Sequence, residues 1–186
     1  MSPSTVRLAI VALGIAAAAV TAATPAAAQP DWWIAVGGQA AVETGRLRDT
    51  LDTEGSGLVA LGWHAFRLGP VLLGPEAEGS GGRISADLGT VGDTVTVWRG
   101  RVGVRAVWWE EDEEPLLVPW VRGGGVYRAD SGKRIEDDGV GWYVGAGLDV
   151  RLSEQWAVGP FVTYERASLS VDTETVLVGL ALSFSY

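Results

Sequence analysis

From residue 32 to the last residue, large apolar side chains alternate with small or polar ones at a period of two. In the terminal stretch Val176, Val178, Leu180, Leu182, Phe184 and Tyr186 share one face, and Leu177, Gly179, Ala181, Ser183 and Ser185 share the other. Successive side chains of a strand point to opposite faces, so this pattern predicts a strand with one greasy face. The same reading recurs around Trp32–Val42, Val59–Ala65, Val71–Ala77, Trp98–Trp108, Pro119–Tyr127, Trp142–Val150 and Trp156–Tyr164. Eight strands are therefore expected. No helical period of useful length follows residue 28, and no linker marks a second domain.

The spacing of the strands constrains their arrangement. "RLGP" (67–70), "EEDEEP" (110–115) and "SEQ" (153–155) read as tight turns. The stretches 43–57, 81–93, 128–139 and 166–173 read as longer polar connections. Short connections at one end and long ones at the other mark an up-and-down antiparallel barrel of the transmembrane kind.

The N-terminus supplies the route to such a location. Arg7 precedes a 13-residue apolar run, Leu8 to Val20, and "AAAQ" offers a small-residue cleavage site after Ala28. This is the pattern of a secretory signal peptide. A membrane-spanning helix needs about 20 apolar residues, and Thr21, Thr24 and Pro25 end the run too soon. Residues 1–28 are read as the signal and 29–186 as the barrel domain. Removing 1–28 takes away Arg7 and no acid, leaving 13 Lys+Arg against 23 Asp+Glu, a net charge of −10. Such a chain is a poor partner for nucleic acid. Without cysteine it has neither disulfides nor thiolate metal ligands. The mature chain is rich in apolar residues and tryptophan, yet it has no second helix-length apolar segment. Its greasy side chains are dispersed along strands.

Which face meets lipid is decided by the aromatics. On the greasy faces Trp32, Trp63, Trp108, Trp156 and Tyr186 lie beside the short turns or chain ends. Trp98, Tyr127, Trp142 and Tyr164 lie beside the long connections. Trp98 and Trp108 are ten residues apart on one strand. At about 3.3 Å per residue and a tilt near 40°, that is roughly 25 Å along the membrane normal, the height of the apolar band of an outer-membrane barrel. The greasy face is thus expected outward, between two aromatic girdles. A soluble ligand-binding barrel would point it inward.

The signal peptide, the eight alternating strands and segments such as "PWVRGGGVY" and "YVGAGLDVRLSEQW" together resemble the small OmpA/OmpX-type outer-membrane β-barrels. The resemblance spans essentially the whole mature chain and is specific to the architecture. It implies residence in the outer membrane of a Gram-negative-type envelope, with outer-membrane lipid and lipopolysaccharide as surroundings and a monomeric state. It also implies recognition by the barrel-assembly machinery, whose signal, an alternating last strand ending on an aromatic, is matched by Phe184 and Tyr186. The peptidoglycan-binding domain of longer members is missing, so no cell-wall anchoring is expected.

The inward faces carry the charges. A hairpin register whose residue numbers sum to 177 would set Glu78 opposite Arg99 and Glu76 opposite Arg101, favourable cross-strand pairs. Arg105, Arg122, Asp149, Arg151 and Glu165 are expected to extend this network. An eight-stranded interior is only wide enough for side chains, so a polar plug is expected, with a narrow, porin-like channel as the alternative. His64, the only histidine, should point inward near the short-turn end. A lipid A-modifying enzyme would need a serine or carboxylate beside it at outer-leaflet depth, and "GWHAFRLG" offers none. The expectation is a non-enzymatic protein without cofactor or metal, with a structural or surface-interaction role. Asp130, Glu136, Asp137 and Asp138 give no defined cation-ligand spacing. The glycines of "GVGWYVGAG" lie within a strand with no helix following, which argues against a nucleotide loop.

Overall fold

A computed structural model describes residues 31–44, 53–87, 92–109, 115–133 and 136–186. The segment read as a signal peptide and the acidic run 110–114 lie outside these residues. Among the described residues, nine strands form one antiparallel sheet: β1 (Asp31–Glu43), β2 (Glu54–His64), β3 (Phe66–Leu68), β4 (Val71–Asp87), β5 (Gly92–Trp108), β6 (Leu117–Ser131), β7 (Glu136–Arg151), β8 (Trp156–Ser168) and β9 (Asp172–Ser185). β1 pairs with β2, β2 and β3 both pair with β4, each strand from β4 to β9 pairs with the next, and β1 pairs with β9, so the sheet closes. β2 and β3 are one stave interrupted at Ala65. The register shifts by one residue between Gly62↔Glu76 and Phe66↔Leu73, as at a β-bulge. The barrel therefore has eight staves. The turn from β3 to β4 uses Gly69 in the left-handed region (φ 60) ahead of Pro70.

Barrel geometry follows from the register. Starting at Trp156, the directly opposed residues around the barrel are Phe184, Ile34, Leu61, Ala77, Val102, Gly125, Trp142 and Arg166. The path returns to β8 displaced by 166 − 156 = 10 residues, which is the shear number. Eight strands with this shear tilt by about 40° from the barrel axis. The tilt carries the path from the short-turn end at Trp156 to the opposite rim at Trp142 and Arg166.

The connections differ from the sequence reading. β4 to β7 run 15 to 17 residues and continue well past the upper aromatics. Of the four stretches read as long connections, only 44–53 is long. The others shrink to 88–91, 132–135 and 169–171. The physical reason is that alternation of greasy and polar faces stops where the outer face leaves the apolar band. Thr94, Thr96, Ser131 and Asp138 are strand residues that carry no apolar signature.

Inward glycines accept the lumen aromatics. A Cβ on Gly62 would lie 2.6 Å from the Trp33 indole, and one on Gly147 would overlap Trp120. Trp33 and Gly62 are register partners, as are Trp120 and Gly147. Gly79, on the outer face, has nothing within 4 Å of such a Cβ. Gly147→Val should lower stability by about 1–3 kcal/mol, the usual cost of overpacking. Gly79→Ala should stay within about 0.5 kcal/mol. Urea midpoints of the folded barrel in detergent or lipid check both.

Candidate functional site: the charged lumen

The outer face between the girdles is apolar and exposed. Ile34, Val36, Val59, Leu61, Val102, Val104, Val121, Val144, Val162, Val178 and Leu180 all face outward. Trp98, Trp108, Trp142, Trp156 and Tyr186 are exposed at its two margins, and Trp32 is partly covered. Tyr127 and Tyr164 are half-buried. Tyr127 donates to the Asp138 carboxylate at 3.3 Å, and Tyr164 packs on Trp142 with ring centroids 5.5 Å apart. Trp63 departs from the girdle expectation because it is 9% exposed. It is the register partner of Trp32, and the two rings stack 5.5 Å apart and nearly parallel, so one indole covers the other.

The charges within the belt face inward, and most are buried. Arg99 forms a two-pronged bond to Glu54 at 2.7 and 2.8 Å and donates its Nε to Glu165 at 2.6 Å. Arg101 donates to Glu165 at 2.6 and 3.2 Å, and to Glu78. Arg122 bonds Glu78 at 2.5 Å and the Thr163 hydroxyl at 2.8 Å. Tyr143 donates to Glu76 Oε1 at 2.8 Å. The chain of contacts thus crosses the lumen from β2 through β5, β8, β4, β6 and β7. Nearer the upper rim, Arg128 holds Asp130 through two bonds and reaches Glu43 at 2.6 Å. Thr175 accepts from Arg128 and donates to Glu43.

The lower lumen is aromatic. The Arg105 guanidinium lies 4.5 Å from the Trp33 ring centroid and 4.1 Å from that of Trp120, a cation–π sandwich. It pairs with Asp149 at 2.7 Å, and Asp149 also accepts the Trp120 indole N–H at 3.0 Å. Leu58, Val107, Val118, Trp120 and Phe161 form an apolar cluster. A cavity of about 20 Å³ lies among Trp33, Arg105, Trp120, Arg122 and Phe161, room for about one water.

Two expectations are corrected. The β4–β5 register sums to 179, setting Glu78 opposite Arg101, Glu76 opposite Gly103 and Ser80 opposite Arg99. A slip of two residues preserves every side chain's face, so parity alone could not fix it. Arg151 lies outside the network. At the end of β7 its guanidinium covers the Trp109 ring at 4.7 Å, while Asp149, two residues further in, takes Arg105.

His64 is half-buried, and its Nε2 has no partner among the described residues. Asp130 turns inward to Arg128, Asp137 accepts the Ser170 N–H at 2.9 Å, and no group of three or more His, Asp or Glu is placed to hold a metal among the described residues. Network members the sequence reading omitted are Glu43, Glu54, Arg128, Asp130 and Tyr143. Glu43 and Arg128 continue the inward parity of Gln39 on β1 and Arg122 on β6, at the first residues of the stretches 43–57 and 128–139 read as connections. For Glu54 the signal was the even-numbered parity of β2 carried upward from His64.

An all-antiparallel eight-stave barrel with an apolar exterior and charges within has the architecture of small transmembrane β-barrels. No protein-family model and no curated protein sequence matches the chain. Among solved structures it is similar in fold to Neisserial surface protein A. Their TM-score is 0.63 at 9% identity, over 83% of this chain and 97% of that one. The outer membrane protein OprG from Pseudomonas aeruginosa gives 0.56 at 12% identity, over 83% and 95% of the two chains. Ail, the attachment invasion locus protein of Yersinia pestis, solved with the heparin analogue sucrose octasulfate, gives 0.52 at 10% identity, over 84% and 100%.

Proposed function

We propose that this is an integral outer-membrane protein with a structural or surface-interaction role, its lumen closed by the Arg/Glu network. The observation that carries the reading is the inversion of a soluble barrel: exposed aliphatics outside, buried ion pairs inside. Burying such a belt in lipid removes it from water at about 25 cal/mol per Å², and a closed barrel satisfies its backbone internally. The fold shared with outer-membrane proteins and the signal-like N-terminus support the location. Lumen-spanning ion pairs support a plug over a pore, and no catalytic step is assigned.

Fractionation of the expressing cell tests the location, and gel mobility of heated against unheated samples tests the barrel. The expected result is recovery with outer membranes and a heat-dependent shift. Recovery in the soluble periplasm would overturn the reading. Planar-bilayer recording of purified protein should be silent, and steady single-channel currents would favour the narrow channel.

A further inference from the structure

The central network is one charge out of balance. Arg99, Arg101 and Arg122 face Glu54, Glu165, Glu78 and Glu76, three cations against four carboxylates. The neighbouring Arg105 does not correct this, because Asp149 balances it one to one. Burying an unpaired carboxylate is costly, and such groups are neutralised instead.

The surplus falls on Glu76. Glu54 holds both prongs of Arg99, Glu165 bonds Arg99 and Arg101, and Glu78 bonds Arg101 and Arg122. Glu76 has no guanidinium within hydrogen-bond distance; its nearest cation, Arg122 Nη1, is 3.7 Å away. Its Oε1 accepts the Tyr143 hydroxyl, whereas Oε2 is buried and has no partner. The groups facing it are Arg122 from β6, Tyr143 from β7, Arg105 from β5 and Glu78 on its own strand. His64 of β2 stands beside Arg105.

We propose that Glu76 is a proton-binding site of the lumen, carrying a carboxylic acid at neutral pH. Oε1, which accepts from Tyr143, is the carbonyl oxygen, and the proton taken from water resides on Oε2. A bound metal cation would serve the same charge balance less well. It would sit among two guanidinium groups with a single free oxygen as ligand, whereas a proton needs only that oxygen. The bound proton brings the central network to zero net charge.

The inference rests on the closed lumen proposed above, which the bilayer recordings test separately. The infrared spectrum of the folded barrel in lipid vesicles at neutral pH should contain one carboxylic-acid C=O band. The band should be lost in Glu76→Gln, whose neutral amide replaces the acid, and kept in Glu78→Gln. No acid band in the wild type, or a band that survives Glu76→Gln, would overturn the proposal even if the barrel is silent in bilayers. Where a variant fails to fold, wild-type protein labelled with ¹³C at glutamate side-chain carboxyls decides. One acid-like resonance at neutral pH supports the site, and carboxylate resonances alone refute it.

Discussion

Arg101→Ala is expected to destabilise the folded barrel by about 3–5 kcal/mol, the range for breaking a buried ion pair from one side. Arg101 is among the most completely buried side chains and joins β5 to both β4 and β8. Truncation would leave Glu165 with Arg99 alone and Glu78 with Arg122 alone, and it would add one negative charge without a partner. Arg101→Lys keeps the charge but cannot reproduce a planar group that bonds Glu165 through Nε and Nη2 and Glu78 through Nη1. It should fall between wild type and alanine. Arg101→Met combined with Glu165→Gln restores the charge difference to that of the wild type. It should cost less than the two single substitutions added together, a coupling in the usual range of about 0.5–3 kcal/mol. Urea titration in detergent or lipid, followed by the heat-dependent gel shift, measures all six proteins, the Arg101→Met and Glu165→Gln singles included. An Arg101→Ala barrel as stable as wild type would show that the ion pairs contribute nothing to holding the staves.

How much of this could be read from residues alone depended on which physical constraint wrote the pattern. Faces were legible because lipid outside and crowding inside act on every second residue: Val102 and Val104 out, Arg101 and Arg105 in. Closure was legible as well, because the last strand is as regular as the first. Register was not, since Glu78 keeps its inward face whether it meets Arg99 or Arg101. Nor were the strand extensions above the belt, where Thr94 or Asp138 on the outer face meets water and need not be apolar. Arg151 departs from the expected lumen network for a related reason. Parity gives the face of a side chain and not its depth, and at the mouth an inward-facing arginine can cover Trp109 instead of reaching a carboxylate. The surplus on Glu76 needed three-dimensional pairing, because it is a property of four carboxylates and three guanidinium groups from five strands.

Deleting Phe184–Tyr186 is expected to cost more folded protein than any change outside the seam. The seam between β1 and β9 runs from Trp33↔Ser185 to Glu43↔Thr175. Its lower end is fastened by Tyr186 N–H to the Trp32 carbonyl and Ser185 N–H to the Gln155 carbonyl, both at 2.9 Å. Phe184 packs on Trp156 with centroids 5.0 Å apart. Removing the three residues strips partners from β1 on one side and β8 on the other, at the level of the lower girdle. Unpaired backbone groups in a membrane cost several kcal/mol each, and about 1.4 kcal/mol is already tenfold in an equilibrium. The heat-shifted form should therefore fall by about tenfold or more. Shortening the 44–53 connection should leave it nearly unchanged, because β1 and β2 remain paired from Asp31↔His64 to Ala41↔Glu54. Phe184→Ala with Tyr186→Ala keeps every backbone bond and removes only the aromatics, so it separates the two roles of this end. Normal folding of purified protein with defective assembly in cells would assign the aromatics to recognition during biogenesis. Equal defects in both settings would assign them to the seam itself, and normal assembly of the three-residue deletion would refute the account of closure.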